Sequence, residues 1–132
     1  MSISITAFYA AILAVIVVAL AINVTVHRVK LAVPLGDGGN PQMLRMIRVH
    51  ANAAEYVPLA CLLMLIYEIG GGWHPALHAA GIALIAGRVI QTWGMWSTEV
   101  AGLGRQSGQS LTWLTIAALA LLSLWQIARM AV

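Results

Sequence analysis

Residues 3–26 read ISITAFYAAILAVIVVALAINVTV and contain no charged side chain. A helix needs about 20 consecutive apolar residues to cross a hydrocarbon core of roughly 30 Å. This run is long enough for one crossing, and His27, Arg28 and Lys30 end it at a membrane surface. A cleavable signal peptide is the competing interpretation, but no positive residue precedes the run, which is also long for such a segment.

The composition of the whole chain extends this conclusion to all 132 residues, of which 61% are hydrophobic and only 8% charged. The mean hydropathy is +0.90. So few charges cannot cover the surface of a globule in water, so lipid must be the solvent. Four crossings with short connections use the whole chain and leave no room for a soluble domain. No basic stripe with interleaved aromatic residues points to nucleic acid as a partner.

Turn-forming residues divide the rest of the chain into three further helices. Asn40 suits an N-cap and Pro41 the first position of the second helix, which Gly70–Gly72 end. A polar stretch at 97–108 separates the third and fourth helices. The sequence predicts one all-α domain over 1–132, an antiparallel bundle of four transmembrane helices at about 3–26, 41–68, 75–96 and 109–129.

The positive charges predict the orientation of this bundle. Four crossings place both termini on one side, where Arg129 is the main cation besides the amino terminus. The opposite side carries Arg28, Lys30, Arg45 and Arg105. By the positive-inside rule, the first loop faces the cytoplasm and both termini lie outside it.

Helix 2 has an unusually polar face for a membrane helix. Arg45, Arg48, Asn52, Glu55 and Leu59 are spaced by three or four residues, which places them on one side of the helix. At 1.5 Å per residue, Arg48 lies about 10 Å along the helix and Glu55 about 20 Å along it. Glu55 is therefore expected near the centre of the bilayer.

Arg88 on the antiparallel third helix is expected at a depth similar to that of Arg48, roughly 12 Å from the same surface. An ionised side chain there costs at least about 2.5–3.5 kcal/mol, so both arginines and Glu55 should be paired or hydrated inside the protein. One interpretation is an ion-pair network, with Glu55 neutralising Arg48 or Arg88, that only fixes helix register or subunit contacts. The other is a binding site.

The mixture of groups favours a small anionic ligand. Guanidinium groups suit carboxylates, the Glu55 carboxylate suits an ammonium, and the amide of Asn52 and phenol of Tyr56 add polar contacts. Glutathione carries two carboxylates and one ammonium, so its charges match this set.

These residues also make the chain similar to a known family. The run Arg48-x-His50-x-Asn52-x-x-Glu55-Tyr56-x-Pro58-Leu59, followed by Gly87-Arg88, resembles the membrane-associated proteins in eicosanoid and glutathione metabolism (MAPEG), most closely their short bacterial members. The resemblance covers nearly the whole chain. It implies a multi-pass protein of the bacterial inner membrane and a homotrimer whose sites lie between subunits and face the cytoplasm.

The resemblance also implies a function, glutathione transferase or peroxidase activity toward a lipophilic electrophile, with glutathione as cosubstrate. Its expected binding residues are Arg48, Asn52, Glu55, Tyr56, Arg88 and Gln91.

Two departures concern thiol activation. Related transferases often carry tyrosines on helix 3 at the positions where this chain has Gln91 and Met95. They also use an arginine at the start of helix 4 to hold the glutathione thiolate, and this chain has Gln109 at the matching position. Arg105, four residues earlier, is the remaining catalytic candidate if its loop folds inward. Otherwise the protein binds glutathione without being a good transferase.

Other functional classes fit less well. A proton-coupled transporter would use Glu55 to exchange protons for a cation, but the neighbouring arginines repel cations. A scaffold without a ligand would use the polar face only to stabilise an oligomer. His74 and His78 provide two potential metal ligands, too few for a metal site, so interfacial hydrogen bonding is expected of them.

Overall fold

The computed structural model describes residues 4–96 and 101–130, which form four α-helices. They are α1 (Ser4–Leu31), α2 (Pro41–Ile69), α3 (His74–Trp96) and α4 (Ala101–Met130). By length and composition, α1, α2 and the Leu103–Met130 part of α4 can each cross a membrane. α3 does not meet the same criterion because Arg88, Gln91 and its two histidines lower its hydropathy. The prediction of an all-α membrane fold is confirmed.

The helices form a bundle in which successive helices are antiparallel. α2 and α3 each contact all three other helices, whereas α1 and α4 make no contact across the described residues. α1 and α4 therefore occupy opposite corners. One end of the bundle carries the 32–40 connection and is called the long-loop end. The other carries the 70–73 connection and is called the short-turn end.

The start of α2 follows the expected capping chemistry. The Asn40 side chain accepts hydrogen bonds from the backbone N–H groups of Gln42 and Met43, and Pro41 occupies the first turn. The cap satisfies two N–H groups that have no partner within the helix. Gly71, with φ of 80°, provides the left-handed conformation in the turn after α2.

Two predicted boundaries were wrong. α1 continues to Leu31 instead of ending near Val26, because no glycine or proline interrupts it and Arg28 and Lys30 suit the negative end of a helix. α4 begins at Ala101 instead of about residue 109. The polar residues that suggested a loop form the first turns of α4, while residues 97–100 of the predicted connection lie outside the described part of the chain.

The two halves of the bundle are packed differently. The main apolar core lies toward the short-turn end and takes buried side chains from all four helices, including Leu13, Met64, Leu84 and Leu119. A smaller apolar cluster toward the long-loop end joins only α1 and α2. There, α3 and α4 pack through glycines and buried polar side chains instead, which makes this half the more polar one.

A buried carboxylate joins α1 to α2 at the short-turn end. Glu68 is 7% exposed, and its two carboxylate oxygens accept from the backbone N–H groups of Ile5 and Thr6 at 3.0 and 2.8 Å. These donors belong to the first turn of α1, where N–H groups lack partners within the helix. Glu68 therefore caps a helix other than its own, a role that the sequence did not predict.

Candidate functional site

A cleft of about 500 Å³ lies between α2 and α4 in the long-loop half of the molecule. Its walls combine charged, amide, hydroxyl and aromatic side chains from three helices: Leu44, Arg45, Arg48, Asn52, Glu55, Tyr56, Gln91, Arg105, Gln106, Gln109, Ser110 and Trp113.

α2 presents the polar face that its spacing predicted. Arg45, Arg48, Asn52 and Glu55 line the cleft together. The Asn52 amide nitrogen donates to the Arg48 carbonyl oxygen at 3.0 Å, which fixes the orientation of that amide. Leu59, further along the same face, is not part of the cleft lining.

α4 contributes the opposite wall. Arg105 lies in the first turns of this helix and lines the cleft, so it reaches the site without any inward folding of a loop. Gln109 and Trp113 follow at intervals of four residues, which the helical period places on the same face. The sequence prediction missed Gln106 because its segment was assigned to a loop, and it placed Ser110 and Trp113 on helix 4 without assigning them to the site. Their periodic spacing was the available signal.

A pair of amides joins α3 and α4 at the cleft. Gln91, which is 3% exposed, donates through Nε2 to Oε1 of Gln109 at 2.8 Å. Nε2 of Gln109 is buried and has no hydrogen-bond partner. The structure thus brings the predicted residue Gln91 into the site together with a free amide donor.

Arg88 does not line the cleft, in contrast to the other predicted binding residues. It is 2% exposed and donates through Nη2 to Oγ1 of Thr112. Its Nε and Nη1 atoms are buried without a hydrogen-bond partner. Within the single described chain, Arg88 therefore makes no hydrogen bond to Glu55. An unsatisfied buried donor typically costs about 1–3 kcal/mol, and more when charged.

Backbone contact explains why Arg88 and Gln91 reach α4 so directly. A Cβ atom on Gly108 would lie 2.5 Å from the Gln91 backbone nitrogen and 2.6 Å from the Gly87 carbonyl oxygen. Only glycine permits such an approach, which brings polar side chains of each helix within reach of the other. The glycine contact therefore positions both polar pairs between α3 and α4.

The cleft is electropositive and bounded by an aromatic pair. Arg45, Arg48 and Arg105 oppose a single acid, Glu55. Tyr56 and Trp113 meet edge to face, with ring centroids 6.4 Å apart and an interplanar angle of 66°. The arrangement suits a ligand with more negative than positive groups, since charges lining a cleft attract ions of opposite sign.

The two histidines considered as metal ligands lie at the short-turn end, away from the cleft. Nδ1 of His78 and the Tyr9 hydroxyl are hydrogen-bonded at 3.0 Å, as expected for interfacial hydrogen bonding. Among the residues that the structure describes, no three His, Cys, Asp or Glu side chains are grouped so as to hold a metal ion.

The comparisons with known proteins extend over nearly the whole chain. Residues 6–125 match the model of the MAPEG family. The chain is 35% identical over 121 residues to the inner membrane protein YecN of Escherichia coli strain K12, covering 92% of this chain and 91% of the relative. The inner membrane protein YecN of Escherichia coli O6:H1 matches to the same extent. The resemblance found in the sequence is confirmed, and the chain belongs to the MAPEG family.

Proposed function

We propose that this protein binds glutathione in the cleft between α2 and α4 and uses it as cosubstrate to conjugate or reduce a lipophilic electrophile. The observation that carries the proposal is the grouping of Arg45, Arg48, Arg105 and Glu55 on the walls of one cleft. Glutathione has two carboxylates for the guanidinium groups and one ammonium for Glu55. The volume of about 500 Å³ is of the size typical of small-molecule sites.

The polar cleft also supports an oligomer. Arg48 and Glu55 are exposed on the single chain, although both belong to a helix able to cross the membrane. Contact with lipid at that depth is unfavourable for charged groups, which normally face a protein interior or a hydrated cavity. A neighbouring copy covering the cleft removes this contact. We infer a homotrimer, as in the family, and expect the detergent-solubilised protein to have the mass of three chains.

We propose that the protein lies in the bacterial inner membrane. The YecN relatives are named as inner membrane proteins. The long-loop end, where the cleft lies, carries Arg28, Lys30, Arg45 and Arg105 and is expected to face the cytoplasm. Glutathione would then enter from the cytoplasm, and the electrophile would arrive through the lipid.

Binding is tested by thermal unfolding of the purified protein with and without millimolar glutathione. A ligand that binds only the folded state raises the unfolding temperature. We expect a rise for the wild type and none for Arg48→Ala or Glu55→Ala, because each removes a charged partner of the ligand. Arg129→Ala is the matched control, since Arg129 lies at the short-turn end, and it should respond like the wild type. A wild-type protein without any response would support a scaffold instead.

Catalysis is tested on the same preparation by following conjugation of glutathione to a generic aryl halide. The sulfur forms a bond to the ring carbon while halide leaves and the thiol proton passes to water. Turnover by the wild type supports a transferase. Glutathione binding with no turnover of aryl halide or hydroperoxide would reduce the function to binding.

The transporter alternative gains no support from the cleft. Three arginines surround its single acid, and a cationic substrate would be repelled. Proton release on addition of a lipophilic cation, with no response to glutathione, is the result that would favour a transporter.

A further inference from the structure

A second cavity, a groove of about 810 Å³, lies between α1 and α3. Its walls are mostly apolar, with Ile16 and Leu20 on α1 and Val89 on α3. The two polar lining residues are hydrogen-bonded within the chain: the amide of Asn23 donates to a methionine sulfur of α2, and the hydroxyl of Thr92 donates to a backbone carbonyl of its own helix. The groove therefore suits an apolar chain better than a polar ligand.

The groove exists because α1 and α3 follow different neighbours in the long-loop half. At the short-turn end the two helices are in close contact, since a Cβ atom on Gly81 would lie 2.2 Å from the ring of Tyr9, whose hydroxyl is hydrogen-bonded to His78. Toward the long-loop end, α3 packs its glycines at 87 and 94 against α4, while α1 packs against α2 through the smaller apolar cluster. The space between α1 and α3 is left open.

The groove and the cleft lie on opposite sides of the bundle. α1 and α4 occupy opposite corners, so the α1–α3 side is opposite the α2–α4 side. A ring of three subunits closes only if the two contact faces of each subunit are inclined to one another, whereas contacts on opposite faces would extend a row of subunits. In the proposed homotrimer, which covers the cleft, the groove therefore faces lipid.

The α1 wall of the groove leads to two basic side chains. His27 and Lys30 follow Asn23 at intervals of four and three residues, so the helical period places them on the face of α1 that lines the groove. Nδ1 of His27 is hydrogen-bonded to the Asn23 carbonyl oxygen at 2.8 Å, which fixes the ring, and Lys30 is exposed. Arg28 lies on another face and donates to carbonyl oxygens of the 32–40 connection.

The dimensions of the groove match one leaflet of a membrane. Along the axis of α1, its lining begins with Asn23 about 10 Å from Lys30 and ends with Ile16 about 21 Å from it. The hydrocarbon of one leaflet is about 15 Å thick, and the headgroup region adds roughly 5–8 Å. With Lys30 among the headgroups, the groove lies at the depth of the acyl chains. Trp93, which is 74% exposed and lines the groove from α3, suits the boundary between the two regions.

We propose that the α1–α3 groove binds an anionic phospholipid of the leaflet at the long-loop end, with one acyl chain along the groove and the phosphate at Lys30 and His27. Burial of the acyl chain against the apolar walls favours binding, and basic residues beside a membrane helix attract anionic headgroups. This lipid site goes beyond the proposed glutathione function. A lipophilic electrophile fits the groove less well, because the cleft for glutathione lies on the other side of the same chain.

Native mass spectrometry of the detergent-solubilised protein tests the headgroup. Offered equal amounts of phosphatidylglycerol and phosphatidylcholine with identical acyl chains, the wild type should retain about fivefold more phosphatidylglycerol, the preference expected of one basic residue near a membrane surface. Lys30→Ala should lose most of this preference. Arg129→Ala removes an exposed cation from the short-turn end and should keep it. Equal retention of the two lipids by the wild type, or an unchanged preference in Lys30→Ala, would overturn the proposal.

The position of the acyl chain is tested by filling the groove. Ala19 lines the groove and is exposed, so Ala19→Trp places an indole there without entering the core. Val18→Trp is the matched control, because residue 18 is turned about 100° around α1 and does not line the groove. We expect Ala19→Trp to lose most of the retained phosphatidylglycerol and Val18→Trp to retain it as the wild type does. Equal retention by the two variants would contradict the assignment of the groove.

The same preparations distinguish other occupants of the groove. Both tryptophan variants should keep the subunit number of the wild type, and a smaller assembly in Ala19→Trp alone would show that a second copy, not lipid, covers the groove. Unchanged lipid retention in Ala19→Trp together with loss of aryl halide turnover would assign the groove to the electrophile instead. Glutathione should stabilise Ala19→Trp as it does the wild type, so failure of the cleft and failure of the groove appear in separate measurements.

Discussion

At the scale of single residues, polar side chains inside this bundle perform two different tasks. Glu68 uses both carboxylate oxygens to hold backbone N–H groups of α1, so its partners come from the chain itself. Glu55 lines a cleft and is exposed, which leaves it available to a ligand. The two acids of α2 therefore differ in their surroundings: Glu68 caps α1, whereas Glu55 is the acid that we propose binds the ligand.

Replacing Glu68 tests its structural task. Glu68→Gln keeps the size of the side chain but turns one acceptor into a donor that faces an N–H group of α1. We expect a loss of about 1–2 kcal/mol in the free energy of unfolding, comparable to the loss of a helix cap. Thermal or denaturant unfolding in detergent gives the value. Glu55→Gln serves as the control and should change stability by less than about 0.5 kcal/mol; an equal loss in both variants would contradict the capping role.

At the scale of helices, the α3–α4 interface shows how packing positions chemistry. The two helices approach through glycines at 87, 94, 104 and 108, so backbone lies against backbone. Side chains at neighbouring positions then meet in pairs, Arg88 with Thr112 and Gln91 with Gln109. A wider separation of these helices would break both pairs.

Gly108→Ala tests this interface. The added methyl group would lie within 2.6 Å of backbone atoms of α3, which cannot yield as a flexible side chain can. We expect a destabilisation of about 1–3 kcal/mol, as for an overpacked core, and a weaker response to glutathione. Ser107→Ala, at an exposed neighbouring position, should leave both properties unchanged. A Gly108→Ala protein with wild-type stability would show that the helices are less closely packed than described.

At the scale of the whole molecule, the apolar core and the polar cleft lie in opposite halves. The core at the short-turn end joins all four helices, whereas the long-loop half contains the cleft and the helix ends that carry Arg28, Lys30 and Arg105. The packed core supports the site from the short-turn end, and a ligand can approach the cleft from the long-loop end. The positive charges at the long-loop end predict that this end faces the cytoplasm.

Cysteine labelling tests this orientation. Leu35 lies in the 32–40 connection and is 86% exposed, and Trp73 lies in the 70–73 connection and is 69% exposed. In a Cys61→Ala background, a membrane-impermeant maleimide applied to intact spheroplasts should label Trp73→Cys and leave Leu35→Cys unlabelled. Inverted vesicles should give the opposite pattern. The same labelling pattern for both cysteines in intact spheroplasts would contradict the predicted topology.

The sequence alone determined the membrane class, the four helices, the capped start of α2 and the polar face of that helix. These features depend on composition, on turn chemistry and on the helical period, all of which act over a few residues. The family also followed from the residues of α2 and α3.

Only the tertiary structure decided the partners of those residues. It placed Arg88 behind the cleft wall, bound to Thr112, and showed that Glu68 caps α1. It also showed that the polar stretch at 101–108 is helical and that Arg105 in this stretch lines the cleft. Each of these outcomes depends on which helix faces which, and at what distance. Such relations arise from glycine-mediated packing between residues far apart in the chain, where no local pattern records them.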